Sequence, residues 1–238
     1  MDPDAHRIRG TPPGTSAYLM EDWCTPAEET YLLGRVYRGA PGASGGWTQL
    51  SGRRLQNHGG VAHEKGMIPT KMPDWLEKQI PEVQRACGAL MPARINHVLV
   101  NEYRAGEGIM PHQDGPLYTP AVAIASLGCG ATMRFTPHRG VCDDCAAHPN
   151  DADADADAPS FGVWLPPRSL LLFDGTLYDS YLHGIDFASE DRLDDSIVNR
   201  ERAAALVGGA ETAPREATRV SLTFRNVRKV RNALKLFR

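Results

Sequence analysis

Residues 95–103, INHVLVNEY, begin a series of short β-type segments that decides the fold class. Each segment is rich in apolar residues that favour strands and is bounded by glycine, proline or aspartate, as in an all-β sandwich or barrel. The other segments are TPAVAIASL (119–127), ATMRFTP (131–137), SLLLF (169–173), SYLHG (180–184) and TRVSLTF (218–224). The pattern predicts a mainly β protein with a double-stranded β-helix, or jelly-roll, core.

Helical patterns precede these segments. Residues 25–28, Thr-Pro-Ala-Glu, have the composition of a capping box with proline at the first helical position, and residues 32–37 supply an apolar face. A second helical region begins at Asp74 and is expected to break before Pro81. We therefore expect an α+β arrangement in which an N-terminal helical layer flanks the jelly roll.

The length of 238 residues and the 42% hydrophobic content fit one domain with one sizeable core. We expect residues 1–17 to be a flexible N-terminus and residues 18–238 to form a single domain. Two segments interrupt the β pattern. Residues 138–160 contain an Asp-Ala alternation that predicts a disordered insertion, and residues 187–217 form a long polar excursion with a short helix around 200–206.

The cysteines and the hydropathy restrict the setting of the protein. Five cysteines fit a reducing compartment rather than a disulfide scaffold. His138, Cys142, Cys145 and His148 could form a structural zinc site, but exposed thiols in the insertion are the favoured alternative. No segment approaches the roughly 20 apolar residues of a membrane-spanning helix, so we expect no membrane partner. A monomer in the cytoplasm, the nucleus or both is expected.

Two histidines and an aspartate stand among the β segments. Residues 112–114 read His-Gln-Asp, and His183 follows His112 by 71 positions. On an extended strand, His112 and Asp114 would leave the same face and could bind one ion. Two imidazoles and one carboxylate can hold Fe(II) and leave positions open for a bidentate co-substrate and O2. Each residue alone also fits a structural role, because such short patterns often arise by chance.

The segment from Arg219 to Arg225, RVSLTFR, alternates in polarity. Arg219, Ser221, Thr223 and Arg225 share one face, and the apolar residues share the other. Burying an unpaired guanidinium is costly, and its planar fork matches a carboxylate. The partner is either a bound carboxylate beyond the metal or one of the chain's aspartates in an internal salt bridge.

These residues, in this order, resemble the AlkB family of Fe(II)- and 2-oxoglutarate-dependent dioxygenases. The matching parts are NEYRAGEGIMPHQDG (101–115), His183 and RVSLTFR (219–225). WTQLSGRRLQNHGG (47–60) is most similar to the sixth vertebrate AlkB homologue and its plant and algal relatives. The similarity covers most of positions 18–236.

The resemblance implies Fe(II), 2-oxoglutarate and O2 as reactants of an oxidative demethylation. Arg219 would clamp the distal carboxylate of 2-oxoglutarate, and Arg225 would lie beside its metal-bound end. Ser221 stands where the family usually has asparagine. The implied iron ligands are His112, Asp114 and His183. The implied co-substrate residues are Asn101, Tyr103, Arg219, Ser221 and Arg225.

The predicted substrate is nucleic acid, with RNA favoured over DNA. An aromatic and basic segment could cover a flipped base and contact phosphates. Its residues are Trp47, Arg53, Arg54, Gln56, Asn57 and His58, with Tyr118 as a further stacking surface. The alternative for this segment is a packed loop with Trp47 in the core. Two other functions stay open: a reader of modified bases with little turnover, and a protein hydroxylase on the same scaffold.

The C-terminal stretch places four apolar residues at helical spacing, which predicts a helix whose other face is basic. We expect its apolar stripe to pack on the domain and its basic residues to attract nucleic acid. The apolar residues are Val227, Val230, Leu234 and Phe237, and the basic residues are Arg228, Lys229 and Arg231.

Overall fold

The computed structural model describes residues 3–38, 46–138 and 159–231. Each predicted β segment coincides with a strand or contains nearly all of one. The strands are β1 (Ala17–Met20), β2 (Thr48–Gln49), β3 (Arg54–His58), β4 (Gly60–Val61), β5 (Ile68–Pro69), β6 (His97–Tyr103), β7 (Ile109–His112), β8 (Ala121–Leu127), β9 (Ala131–Pro137), β10 (Phe161–Leu165), β11 (Ser169–Asp174), β12 (Tyr181–Ile185), β13 (Glu190–Arg192), β14 (Thr212–Pro214) and β15 (Arg219–Arg225). The α-helices are α1 (Pro26–Tyr37), α2 (Asp74–Glu77), α3 (Ile80–Cys87), α4 (Gly175–Asp179) and α5 (Arg200–Leu206).

Two antiparallel sheets form the jelly roll. The larger sheet has the strand order β1-β11-β8-β15-β6-β3-β2, and the smaller has the order β10-β9-β12-β7. Ile124 and Phe173 of the larger sheet share one buried apolar cluster with Met133 and Phe135 of the smaller sheet. The sheets therefore pack face to face, which confirms the mainly β jelly-roll prediction.

The outer face of the larger sheet carries a second apolar cluster. Val220, Leu222 and Phe224 of β15 belong to it, together with Leu32 of α1 and Leu76 of α2. The opposite residues of β15 line a cavity between the sheets. The predicted alternation of this strand is thus confirmed, and it separates a structural face from a polar one.

The helices begin close to the predicted positions. The Thr25 side chain accepts a hydrogen bond from the backbone of Glu28, whose carboxylate accepts from the Thr25 backbone. The second region divides into α2 and α3, with Pro81 in the first turn of α3, where proline is tolerated. The predicted N-terminal helical layer is not confirmed, because α1, α2 and α3 are separate helices and β1, which precedes them, joins the larger sheet.

The N-terminal residues differ from the flexible segment that the sequence predicts. Arg7 forms an isolated bridge with Tyr18 of β1. The backbone amide of Ile8 donates to the carbonyl oxygen of Ala17 at 2.8 Å, and the Ile8 side chain is buried. The described part of residues 1–17 therefore folds back along β1, because its one large apolar residue reaches the core.

The polar excursion at residues 187–217 is a packed unit. Strands β13 and β14 pair, and α5 has the predicted bounds. Leu193 and Ile197 pack against Trp164 of β10. Arg215 and Asp191 form a buried ion pair at 2.6 Å.

Parts of two predictions fall on residues outside the described ranges. Residues 139–158 include Cys142, Cys145 and His148 of the possible zinc site, so this site and the disordered insertion remain predictions. Within the described ranges, no helix combines the length and apolar character needed to cross a membrane.

The predicted C-terminal helix is wrong over the described residues. Val227 bridges Tyr118, and Val230 bridges Met67. The carbonyl oxygen of Lys229 accepts from the Met67 backbone amide at 2.8 Å, so the backbone is used for strand-like pairing instead of helical bonds. Val227 is buried, whereas Val230 is 45% exposed, so the expected apolar stripe does not form. Leu234 and Phe237 lie outside the described residues.

Candidate metal centre and co-substrate cavity

Strands β7 and β12 bring two imidazoles together. His112, the last residue of β7, pairs with His183 of β12, and their ring centroids are 4.4 Å apart. Asp114 lies two residues after His112, in the segment that follows β7. The potential ligand atoms of all three residues lie within 4.8 Å of one another.

The surroundings leave each side chain of this triad with a free ligand atom. The Nδ1 atom of His112 lies 2.9 Å from the carbonyl oxygen of Met110, and a proton donated there leaves Nε2 free. Burial lowers the pKa of His183 to about 4, so its ring is neutral near pH 7. Asp114 accepts from Arg225 through Oδ1 at 2.5 Å, while Oδ2 is buried and has no hydrogen-bond partner among the described residues. A metal ion would satisfy that oxygen, and this donor set fits Fe(II).

Two hydrogen bonds with residues of α4 fix the segment that carries Asp114. The Gln113 side-chain amide donates to the carbonyl oxygen of Asp179 at 2.6 Å. The Tyr178 hydroxyl donates to the carbonyl oxygen of Gly115 at 3.1 Å. These bonds bracket Asp114 on both sides, so its position is set by the fold before any ion binds.

A cavity of about 240 Å³ lies between the two sheets and contains the triad at its wall. It brings together all the residues that the sequence predicted for iron and co-substrate binding. These are Asn101, Tyr103, His112, Asp114, His183, Arg219, Ser221 and Arg225.

Arg219 is a buried cation with an incomplete set of partners. Its Nη2 donates to the Ser126 hydroxyl at 2.9 Å, and its guanidinium lies 5.5 Å from the centre of the Tyr103 ring. Its Nε is buried and finds no hydrogen-bond partner in the described part of the chain, and burial lowers the pKa of the guanidinium. No carboxylate of the described residues forms an ion pair with it. A bound carboxylate would complete this environment.

Arg225 has a different environment. It forms an ion pair with Asp114 at 2.5 Å and lies 4.2 Å from the centre of the Tyr118 ring. The alternative of an internal salt bridge therefore holds for Arg225 and not for Arg219. Arg225 fixes Asp114 so that one carboxylate oxygen remains available for an ion.

Sequence reasoning missed Ser126 as the partner of Arg219. The sequence did contain an indication of this role, since Ser126 is the only hydroxyl residue within the otherwise apolar run 121–127. It lies in phase with Val122 and Ile124, which face the inner cluster. A single polar residue on the buried face of a strand needs a hydrogen-bond partner.

The segment predicted to contact substrate divides between the two faces of β3. Arg54 pairs with Glu102 at 2.7 Å, and the Gln56 side chain donates to the carbonyl oxygen of Val36 in α1. The Arg54 guanidinium also lies 4.3 Å from the centre of the Trp47 ring. The structure thus places Trp47, Arg54 and Gln56 on the face toward the helices and does not bring them to the cavity.

His58 follows the same alternation. It is buried, and its Nε2 lies 3.1 Å from the Gln56 side-chain oxygen. The packed alternative therefore describes this face of the segment, including Trp47. Arg53 lines the cavity, Asn57 lies in phase with it on the inner side, and Tyr118 lines the cavity beneath Arg225.

Comparison with known families agrees with this geometry. The family model described as "2OG-Fe(II) oxygenase superfamily" matches residues 20–225. The chain belongs to the 2OG-Fe(II) oxygenase superfamily. Its members use Fe(II), 2-oxoglutarate and O2, and His112, Asp114 and His183 form the candidate iron site in this oxygenase.

Relatives place the oxygenase near the AlkB homologues. It is 42% identical over 230 residues to "Probable RNA/DNA demethylase ALKBH6" of Danio rerio, covering 97% of this chain and 92% of that protein. It is 27% identical to "Uncharacterized protein L905" of Acanthamoeba polyphaga mimivirus, covering 89% and 84% of the two chains. The predicted AlkB resemblance is confirmed.

Solved structures support the fold alone. The structure titled "The structure of OsALKBH1" matches with a TM-score of 0.57 at 18% identity, covering 92% of this chain and 99% of that one. A 2OG-Fe(II) oxygenase family oxidoreductase from Burkholderia pseudomallei matches with a TM-score of 0.51 at 9% identity, covering 90% and 88%.

Proposed function

We propose that this oxygenase demethylates alkylated bases of nucleic acid, with RNA as the preferred substrate. One observation supports the reaction most strongly. The cavity that holds the triad also holds Arg219, a buried cation without a carboxylate partner among the described residues. When bound, Fe(II) and 2-oxoglutarate would supply O2 activation coupled to decarboxylation of the co-substrate to succinate.

The chain's own residues would bind and orient the reactants. Arg219 would hold the distal carboxylate of 2-oxoglutarate, with Ser126 fixing its guanidinium. Arg225 would keep Asp114 turned toward the ion. Ile124 and Met133 form part of the apolar wall and would exclude water from the reacting groups.

A groove next to the cavity supports a nucleic-acid substrate. Asn57 lines this groove, and Arg53 of the cavity lies on the same face of β3, so the groove and the cavity follow one another along that strand. Lys65 and Arg231 also line it and could contact phosphates. The relative from Danio rerio is itself named a probable RNA/DNA demethylase.

A protein hydroxylase is the second candidate. It gains support because Trp47, Arg54 and Gln56, which were predicted to stack on or contact a base, face the helices instead. Lys65 and Arg231 in the neighbouring groove weigh against it, because they place positive charge where a phosphate backbone could bind.

Turnover with matched substrates tests the proposal. The purified protein with Fe(II), 2-oxoglutarate and O2 would be given methylated RNA, methylated DNA and an unmodified peptide library. We expect succinate and formaldehyde in equal amounts with methylated nucleic acid, and faster release with RNA. Hydroxylated peptide without formaldehyde would support the second candidate, and RNA binding without succinate would support a reader.

A further inference from the structure

The cavity contains an arginine that the iron and co-substrate assignments leave without a role. Arg53, directly before β3, is half-buried and lines the cavity beside Asn101 and Tyr103. No carboxylate of the described residues forms an ion pair with it. Its Nε donates to the side-chain oxygen of Asn101 at 3.0 Å.

This hydrogen bond determines which way the Asn101 amide points. A guanidinium has only donors, so the carbonyl oxygen of Asn101, and not its NH2 group, must face Arg53. The two donors on Nδ2 are then available to an acceptor in the cavity. An anionic co-substrate is such an acceptor, whereas the reversed amide would present a repelling oxygen.

The backbone places Arg53 for this contact. Leu55 of β3 pairs directly with Asn101 of β6, so Arg53 lies diagonally across from Asn101 on the same face. The preceding Gly52 packs closely on its neighbours. A Cβ at Gly52 would lie 2.5 Å from the Phe187 ring and 2.7 Å from the carbonyl oxygen of Gly108.

The charges around the cavity fit a dianion. Within the described ranges, three guanidinium groups line it, those of Arg53, Arg219 and Arg225, and of these only Arg225 has an ion pair, with Asp114. Burial raises the pKa of Tyr103, and the positive charges of Arg53 and Arg219 act in the opposite direction. Both cations therefore lie within electrostatic range of this ring. Two unpaired cations match the two carboxylates of 2-oxoglutarate.

We propose that Arg53 is a positioning residue of the 2-oxoglutarate site, which orients the Asn101 amide toward the co-substrate, and not a nucleic-acid contact. This inference rests on the function proposed above. It removes Arg53 from the predicted substrate surface and adds it to the co-substrate site.

A double-mutant cycle tests the coupling between the two residues. The Fe(II)-loaded protein would be titrated anaerobically with 2-oxoglutarate, following the visible charge-transfer band. Arg53→Met and Asn101→Ala are each expected to weaken 2-oxoglutarate binding roughly tenfold, from loss of one charge-assisted contact. The double variant is expected to be no weaker than either single variant, because the two residues act as one unit.

Controls separate orientation from charge and from folding. Arg104→Met removes a cation next to Tyr103 in sequence whose side chain is 68% exposed, and it should leave 2-oxoglutarate binding unchanged. Arg53→Lys keeps the charge but loses the planar donor that orients Asn101, so it should still bind 2-oxoglutarate more weakly than wild type. A cooperative thermal unfolding transition shows that each variant is folded. The affinity of the Arg53 variants for RNA should stay within about twofold of wild type, since Arg53 does not contact the RNA.

Several outcomes would overturn the role of Arg53. These are wild-type affinity in Arg53→Met, full affinity in Arg53→Lys, additive losses in the double variant, or weaker RNA binding at unchanged 2-oxoglutarate affinity. A wild-type protein without any 2-oxoglutarate-dependent band would instead contradict the function proposed above.

Discussion

Arg219 carries a charge inside the sandwich with a hydroxyl and an aromatic ring as its protein partners. Arg225, on the same strand, has a carboxylate partner. Burying a charge without a counter-charge costs stability, whereas a paired charge becomes costly only when its partner is removed. Replacement of each arginine by methionine is therefore expected to change the free energy of unfolding differently at the two positions.

Arg219→Met should leave the protein without 2-oxoglutarate as stable as wild type, or more stable by about 1 kcal/mol, because it removes an uncompensated buried charge. Arg225→Met, the matched control, should cost about 3–5 kcal/mol because Asp114 loses its partner. Urea unfolding measures both. Equal destabilisation by the two substitutions would show that Arg219 is already satisfied by the protein.

His58 predicts a pH dependence of stability. Burial lowers its pKa from 6.5 to about 4, so the unfolded state binds a proton at a higher pH than the folded state. The stability that depends on neutral His58 is present above pH 6.5 and is lost as the pH falls toward 4. Between pH 7 and pH 5 this loss is about 2 kcal/mol.

His58→Gln keeps a donor for the Gln56 side chain but does not titrate in this range. Its urea midpoint should fall less than that of wild type between pH 7 and pH 5. Parallel pH profiles for the two proteins would mean that His58 is already protonated or solvated in the folded state.

Elements differed in how much of their structure could be predicted. Strand β15 was predicted with its faces, because its polar and apolar residues alternate and every residue is buried. For the segment that contains β3, the sequence left open a substrate contact or a packed loop, and the structure shows that Gln56 and Arg54 are satisfied by Val36 and Glu102. Partners 20 and 48 residues away leave no signal in a local pattern.

The excursion at residues 187–217, between β12 and β15, is also held by contacts that a local sequence pattern does not show. Arg215 pairs with Asp191 and also donates to the backbone carbonyl oxygens of Asp186 and Ala188. The polar composition predicted an excursion with one short helix, and the structure adds a buried ion pair and a small apolar cluster that hold it on the fold.

Arg215→Met should therefore destabilise the protein by about 3–5 kcal/mol, since it leaves the Asp191 carboxylate buried and unpaired. The double variant with Asp191→Leu should recover part of that loss. Urea unfolding of both variants gives the comparison. Loss below about 1 kcal/mol in the single variant would indicate a solvated pair.

At the scale of the whole molecule, topology assembles what the sequence only suggests. The order of motifs predicted the triad and the arginine strand, but the approach of His183 to His112 requires β12 and β7 to be neighbours in the smaller sheet. The C-terminal residues were predicted as a helix from spacing alone, and their pairing with Met67 could not be seen because it is a contact distant in sequence.

Lys65 and Arg231 in the groove beside the cavity predict salt-dependent binding of RNA. Lys65→Glu combined with Arg231→Glu should weaken RNA binding at least tenfold at low salt. The negative slope of log affinity against log salt should become shallower by about 1–2. Fluorescence anisotropy across a salt series measures this. Lys78→Glu, an exposed residue outside the groove, is the control. An unchanged slope in the groove variant would remove this surface from the substrate path.

The most direct test of the central claim is an anaerobic titration of the purified protein with Fe(II) and 2-oxoglutarate, following the charge-transfer band. We predict a saturable band in the wild type, its loss in His183→Ala, and its loss or a shift to much higher 2-oxoglutarate concentration in Arg219→Ala. No band in folded wild-type protein, or an undiminished band in both variants, would contradict the iron and co-substrate site described above.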